Sequence, residues 1–153
     1  GEYYTFDNAP ADPKPVQDNL PILVGTGGNR MMRITARFAE EWNTWGTPES
    51  AGERRNAFVA ACEQVGADPA SKWTSVQALV FITDTQEAAD EILAGPMGPR
   101  SIAGTAERIR EQINTYAEIG FDEFIVADFA LGGSATERRD GFERIKSEII
   151  DQL

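Results

Sequence analysis

The alternation of short apolar runs with capped, amphipathic stretches is the feature that most constrains how this chain can fold. Runs typical of buried strands occur at residues 22–25, 42–45, 75–83 and 123–127, and a helix is predicted after each of them. Successive strands that are separated by helices pair in parallel, because the chain has to cross back over the sheet before the next strand begins. The sequence therefore predicts an α/β fold with four parallel strand–helix units.

Local signals place the ends of the predicted helices. A Ser, Thr or Asp side chain at a helix start accepts hydrogen bonds from N–H groups that have no partner inside the helix. Such starts are predicted at Thr47 before Pro48, at Asp84 with Glu87, at Thr105, and at Ser134 with Glu137. Gly66 and Gly120 are predicted stops, since glycine readily adopts the left-handed conformation that ends a helix.

The first helix is predicted from an apolar stripe. Spacings of three and four residues are typical of one buried helix face, and they join Met31, Ile34, Phe38 and Trp42. The first helix should therefore pack on the sheet through this stripe. By contrast, residues 95–104 are rich in glycine and proline and are predicted to be a loop.

Proline content divides the chain into two parts. Residues 8–21 contain four prolines and little periodicity, so residues 1–20 are predicted to form an extended N-terminal arm before the strand–helix units of residues 21–153. Two architectures fit those units: an open doubly wound sheet, or half of a TIM-type (β/α)8 barrel, which needs roughly 250 residues when complete. Both bind ligands at the carboxyl ends of their strands.

The carboxyl end of the first predicted strand has the strongest signal for a binding site. It leads through Gly25, Thr26, Gly27, Gly28 and Asn29 into a helix. Glycines allow backbone N–H groups to converge on an anion, and the dipole of the following helix favours negative charge there. Two interpretations stay open: an anion-binding loop, with Arg30 and Arg33 adding charge, or a tight turn that needs glycine for its geometry alone.

Composition argues against several classes of partner. The 153-residue chain has a net charge of −11, which opposes binding to nucleic acid or to an acidic membrane surface. No apolar run reaches the length of a membrane span, so a cytoplasmic protein is expected. The chain has no histidine, and no cluster of acids has the spacing of a metal site. Its single cysteine, Cys62, is expected to be a buried structural thiol.

Four further side chains are weighed as ligand contacts. Asp128 follows the last strand and either touches a ligand or caps a loop. Trp45 ends the second strand and is open to stacking on an aromatic ring, whereas Trp42 is expected in the core. Arg100 lies in the predicted loop and either binds phosphate or is a solvated charge.

The ordered set of these motifs resembles the luciferase-like oxidoreductase family. Residues 21–42 resemble its Pro-Ile-(Leu/Ile)-(Ile/Val)-Gly-x-Gly-Gly strand and turn, followed by a helix ending in Ala-Arg-(Tyr/Phe)-Ala-(Asp/Glu)-x-Trp. Residues 1–4 and 13–17 resemble the family's lead-in to this strand. Residues 104–109 resemble its Gly-Thr-Pro-Glu-x-Val helix start, with Ala106 in place of proline, and residues 120–126 resemble its last barrel strand.

The resemblance implies a fold, a cofactor and a site. Family members are (β/α)8 barrels, usually dimers, that use FMN or the deazaflavin coenzyme F420 for oxygenation or hydride transfer on a small-molecule substrate. By this resemblance the chain is the C-terminal half of such a barrel. By this resemblance Gly27, Gly28 and Thr44 contact the cofactor phosphate. The whole loop from Gly25 to Asn29 is the predicted cofactor-binding segment.

The chain has about half the length of a complete barrel. The first four strands, which in this family carry much of the ring pocket and most acid–base residues, are expected to be missing, so the chain is expected to be inactive alone. Half a barrel exposes two strand edges and one sheet face, and a homo-oligomer is therefore expected. The alternative is a non-catalytic, self-associating α/β module from a truncated gene.

Overall fold

Strands and helices alternate along the chain in the computed structural model, which describes residues 1–10 and 12–153. Strands β1 to β5 are Leu23–Gly25, Glu41–Trp45, Trp73–Ile82, Ser101–Gly104 and Glu123–Val126. Helices α1 to α5 are Asn29–Phe38, Pro48–Val65, Gln86–Ala94, Ala106–Ile119 and Ala135–Glu148. Every described strand pair is parallel. The predicted α/β fold is confirmed.

The long central strand β3 organises the sheet. β1 pairs with β2, and β2 pairs with the first half of β3. Residues 75–78 of β3 also pair with β5, whereas residues 79–82 pair with β4. The two halves of one strand therefore hold two different neighbours, and β1 lies at the end of the strand order.

Strand β4 corrects the prediction that residues 95–104 are a loop. The glycine- and proline-rich part is irregular and ends in a short 3₁₀ turn, Gly98–Arg100, but Ser101–Gly104 is a strand with four buried residues. Its backbone finds partners along the far half of β3. Because that pairing joins segments distant in sequence, local composition gave no sign of it.

The apolar stripe predicted for the first helix is also wrong. Helix α1 ends at Phe38, and Trp42 belongs to β2. The buried face of α1 consists of Met32, Thr35 and Ala36. Met31 is 42% exposed and Phe38 is 69% exposed, so the part of the stripe that lies on α1 faces away from the core.

Most predicted helix ends are confirmed. Thr47, Thr105 and Ser134 cap α2, α4 and α5, and Ser134 forms a complete capping box with Glu137. Gly66 and Gly120 end α2 and α4 in left-handed conformations, with φ of 72° and 102°. The start at Asp84 is wrong by one residue. Thr85 caps α3 instead, because the helix begins at Gln86 and the Thr85 hydroxyl reaches the N–H of Ala88 at 3.2 Å.

The core lies between the sheet and its helices, and Trp42 is at its centre. The indole stacks on Phe58 with ring centroids 4.5 Å apart, and Phe121 lies on it at 6.1 Å. The Trp42 Nε1–H donates to the carbonyl of Thr26 at 2.9 Å, which ties the glycine-rich loop to the core. Cys62 is fully buried, as predicted, and burial raises the pKa of its thiol.

The N-terminal arm adds no regular element to the sheet. Residues 1–10 and 12–20 contain neither a helix nor a strand, and their side chains are exposed. Among them are large apolar groups, with Tyr3, Tyr4 and Phe6 all more than three-quarters exposed at 83%, 78% and 85%. Across the residues that the structure describes, no helix is both long and apolar enough to cross a bilayer.

Candidate functional site

A cleft of about 370 Å³ opens at the carboxyl ends of β1 and β2. This is the sheet edge where parallel α/β folds bind ligands. Glycines and small polar residues contribute to its lining together with two arginines. The lining residues are Gly25, Thr26, Gly27, Asn43, Thr44, Trp45, Arg54, Gln77, Pro99 and Arg100.

Four of the six predicted cofactor-binding residues line this one cleft, namely Gly25, Thr26, Gly27 and Thr44. The structure does not place the other two, Gly28 and Asn29, in its lining. Gly28 precedes α1, and Asn29 lines a separate depression between α1 and α2 together with Arg33.

The backbone of the loop does not require glycine. Gly25, Gly27 and Gly28 are absent from the left-handed glycines that the structure describes. A Cβ on Gly27 would lie 4.0 Å from Arg54 Nε, and one on Gly28 would meet no atom within 4 Å. The geometry of the turn therefore does not explain why these residues are glycine. Because glycine has no side chain, space stays open beside the cleft.

Helix α1 begins without the cap that the other α-helices have. Side chains of Thr47, Thr85, Thr105 and Ser134 cap α2 to α5. At the start of α1, within the described part of the chain, Gly28 offers no side-chain cap. The first-turn N–H groups of α1 are therefore not occupied by a capping side chain, and they follow directly on the glycines that line the cleft.

Two arginines bring positive charge to the cleft. Arg54 projects from α2 and donates through Nη1 to the Trp45 carbonyl. Arg100 follows Pro99, and its guanidinium carbon lies 6.0 Å from the centroid of the Trp45 ring. None of the ion pairs among residues 1–10 and 12–153 includes either guanidinium. Both cations are therefore free of a neutralising carboxylate in the structure.

Arg54 is the residue that sequence reasoning missed. Arg30 and Arg33 were the cations expected at the loop, but both line a depression with Ile34 and Phe38 on another face of α1. A usable signal existed for Arg54. It lies two turns into the helix that follows the second strand, so a side chain on that face returns to the strand end.

The floor of the cleft is a fixed, neutral polar ladder across β2 and β3. Gln77 Nε2 donates to Asn43 Oδ1 at 2.9 Å, and Asn43 Nδ2 donates to Ser75 Oγ at 2.9 Å. Asn43 and Ser75 are buried. These bonds hold the floor before any ligand arrives, and they leave the positive charge of the walls unopposed.

Of the remaining candidate residues, Thr44 and Trp45 line the cleft, whereas Asp128 and Trp42 do not. Thr44 is only 4% exposed, and its hydroxyl lies 3.4 Å from the Trp45 carbonyl. Asp128 lies outside the cleft lining and approaches Arg138 at 4.0 Å on an exposed surface. Trp42 is in the core as expected, whereas Trp45 lines the cleft. The described residues contain no group of His, Cys, Asp and Glu side chains arranged to hold a metal ion.

Parallel strands that alternate with helices, with a cleft at the carboxyl ends of the strands, fit either a doubly wound sheet or part of a (β/α)8 barrel. The family model for luciferase-like monooxygenases matches residues 1–99. The chain therefore belongs to the luciferase-like monooxygenase family. No curated protein sequence matches it.

Solved structures share the fold at low sequence identity. The coenzyme F420-dependent tetrahydromethanopterin reductase from Methanopyrus kandleri is 12% identical with a TM-score of 0.73, over 99% of this chain and 56% of that one. An F420-dependent secondary alcohol dehydrogenase is 17% identical with a TM-score of 0.69, over 98% and 54%. EDTA monooxygenase from Chelativorans sp. BNC1 is 14% identical with a TM-score of 0.68, over 99% and 48%.

This chain spans about half the length of these structural relatives. Nearly all of it superposes on part of each relative, and its strands are parallel throughout. The expected partial TIM-type barrel is thus confirmed, with five described strands where four were predicted.

Proposed function

We propose that residues 21–153 are the C-terminal, cofactor-phosphate-binding half of a luciferase-like oxidoreductase, preceded by the arm of residues 1–20. The observation that carries the proposal is the cleft itself. It combines the side-chain-free backbone of Gly25 and Gly27 with the unneutralised guanidiniums of Arg54 and Arg100. In a chain of net charge −11, this local excess of positive charge is suited to a phosphate group.

The residues present fit a phosphate-bearing flavin-type cofactor. Arg54 and Arg100 supply charge-assisted donors, and the backbone allows close approach at Gly25 and Gly27 because neither residue has a Cβ. Gly28 and Asn29 are proposed to contribute only through backbone N–H groups at the uncapped start of α1, which a change of side chain leaves in place, and Thr44 lines the cleft. When bound, the cofactor supplies redox chemistry, and the role of this chain is to fix the position of its phosphate.

We propose the deazaflavin coenzyme F420 ahead of FMN as that cofactor. Two of the structural relatives are described as F420-dependent, and the third is described as a monooxygenase. Both cofactors carry a phosphate on the side chain of a three-ring system. The proposed contacts in the cleft are with this phosphate. A small-molecule substrate would meet the ring system outside the cleft.

The chain by itself is proposed to lack turnover. The cleft offers arginines, amides and hydroxyls but no histidine or carboxylate placed to move a proton. Purified chain should therefore leave a reduced flavin or deazaflavin unchanged in the presence of candidate substrates. Substrate-dependent oxidation above the rate without protein contradicts this part of the proposal.

Phosphate recognition is tested with ligand pairs of which one member carries the phosphate; FMN and riboflavin differ in that group alone, whereas F420 also loses the chain attached beyond its phosphate. FMN is compared with riboflavin, and F420 with its dephosphorylated form, by fluorescence titration of the purified chain. The phosphate-bearing member of a pair should bind at least about tenfold tighter, since one charge-assisted hydrogen bond contributes about 1.5 kcal/mol or more. Arg54→Ala should remove most of this preference, whereas Arg139→Ala, an exposed arginine of α5, should not.

Equal affinity for both members of both pairs would show that the cleft does not recognise phosphate. Loss of preference in Arg139→Ala as well would show that net charge, rather than the cleft, attracts the ligand. The two variants remove the same charge, so they separate a local contact from a general electrostatic effect.

A second candidate function is a non-catalytic module that associates with itself. The supporting observation is exposed apolar surface on the sheet and arm, including Leu23 at 48%, Trp73 at 50% and Phe6 at 85%. Surfaces of this kind are usually covered by a partner. Self-association without any preference for FMN over riboflavin or for F420 over its dephosphorylated form favours this second function.

A further inference from the structure

We infer that Trp45 is the positioning residue of the cleft, which holds the guanidiniums of both Arg54 and Arg100 toward the same opening. This inference rests on the proposed function and deepens it. Trp45 is the last residue of β2, where the strand meets the cleft, and it lines the cleft together with both arginines.

Arg54 is held by the main chain of Trp45. Its Nη1 donates to the Trp45 carbonyl, which tethers a long, flexible side chain to the end of a strand. The same carbonyl lies 3.4 Å from the Thr44 hydroxyl. With Nη1 engaged, Nε lies beside the glycine-rich loop, 4.0 Å from where a Gly27 Cβ would stand. One donor of Arg54 beyond the tethered Nη1 is thus close to the glycine-rich side of the cleft.

Arg100 is held by the ring of Trp45. The guanidinium carbon lies 6.0 Å from the ring centroid, within the range of a cation–π contact. The ring is supported in turn by Phe129, whose centroid is 6.0 Å away. Arg100 ends a 3₁₀ turn in a glycine- and proline-rich segment, where its side chain would otherwise be a solvated charge. The contact turns a loop cation into part of the cleft wall.

The use of a tryptophan for this task has a chemical consequence. A carboxylate would orient an arginine at least as firmly, but it would cancel the charge that an anion needs to meet. A carbonyl oxygen and an aromatic face orient a guanidinium and leave its full charge in place. Trp45 therefore organises two cations without neutralising either of them.

The test is a double-mutant cycle between Trp45 and Arg100. The readout is the ratio of FMN to riboflavin affinity in the purified chain, which reports on the phosphate alone. Trp45→Leu removes the ring and keeps the carbonyl, so the ratio should fall about two- to fivefold. Trp45→Phe keeps an aromatic face and should restore most of the ratio. In an Arg100→Ala background, Trp45→Leu should cause no further fall.

The matched control is Trp73→Leu, because Trp73 starts β3 at the opposite end of the sheet and is also half-exposed. It should leave the ratio unchanged. An additive effect of Trp45→Leu in the Arg100→Ala background, or no effect in the wild type, overturns the positioning role. If the wild type does not distinguish FMN from riboflavin, the proposed function fails and the positioning role fails with it.

A ligand-free measurement separates these failures. In the wild-type chain the ring current of Trp45 should shift the side-chain resonances of Arg100 upfield, and this shift should vanish in Trp45→Leu. Phosphate preference that persists with no such shift refutes the arrangement while the proposed function stands. A shift that is present without any phosphate preference refutes the function and not the contact.

Discussion

Replacement of Gly27 by valine tests whether the glycine-rich loop binds an anion or only turns the chain. A Cβ at this position would lie 4.0 Å from Arg54 Nε, an ordinary contact, so the first carbon fits. The two γ-methyl groups extend about 1.5 Å further, and they fill the space between the backbone and the guanidinium. The variant should therefore keep its fold and lose the room that a phosphate needs.

The structure gives the expected size of the change in stability and of the change in FMN affinity. Gly27 is not among the left-handed glycines described, so valine should change the free energy of unfolding by no more than about 1 kcal/mol. Loss of one or more charge-assisted hydrogen bonds, each about 1.5 to 3 kcal/mol, should weaken FMN binding about 10- to 100-fold. Riboflavin affinity should change far less, because riboflavin has no phosphate.

The assay pairs urea unfolding with titration of FMN and riboflavin against Gly27→Val and Gly28→Ala. Gly28 lies outside the cleft lining, with φ of −94°, and its Cβ would meet no atom within 4 Å. Gly28→Ala should accordingly bind FMN within about threefold of the wild type, which corresponds to roughly 0.6 kcal/mol. If Gly27→Val is folded and binds FMN as tightly as the wild type, the loop is only a turn and the site assignment is refuted.

Three further outcomes are expected. Tyr116→Phe should lower the free energy of unfolding, measured in urea, by about 1 to 2 kcal/mol. The reason is that the buried Tyr116 hydroxyl donates to the Gly46 carbonyl at 2.7 Å. An unchanged free energy of unfolding would contradict this role. The N–H of Ser134 lowers the pKa of Glu137, so the capping box should stabilise the fold above pH 4.5 and lose its contribution as the pH falls further. Glu137→Gln should flatten that acid limb of the stability curve. Sedimentation should show an oligomer at micromolar concentration, and a monodisperse monomer would refute the expected assembly.

Local signals predicted the parts of the fold that depend on short stretches of chain. Strands β1, β2, β3 and β5 and the caps at Thr47, Thr105 and Ser134 follow from apolar runs and from residues within one helical turn. Strand β4 was missed because it is stabilised by pairing with the second half of β3 and by packing against α3 and α4, none of which is visible in its local composition. The buried face of α1 was misplaced because Thr35 and Ala36 fill it, while larger apolar groups remain outside.

The sequence predicted the location of the candidate site more accurately than the side chains that form it. The rule that ligands bind at the carboxyl ends of parallel strands located Gly25 to Gly27 and Trp45. It did not identify Arg54, because the rule concerns strand ends and was not extended to the helix that follows β2, in which Arg54 lies two turns from the start. Arg100 was left with two interpretations until its contact with the Trp45 ring was visible.

The divided pairing of β3 has a consequence for how such a cleft can diversify. The glycine-rich wall is connected to the sheet through β1 and β2, whereas Arg100 is delivered by the segment that joins β3 to β4. A change of length in that segment would move Arg100 and leave the pairing of residues 75–78 with β5 in place. The Arg100 side of the cleft can therefore change to suit a new ligand while the glycine-rich loop and the strands that support it stay the same.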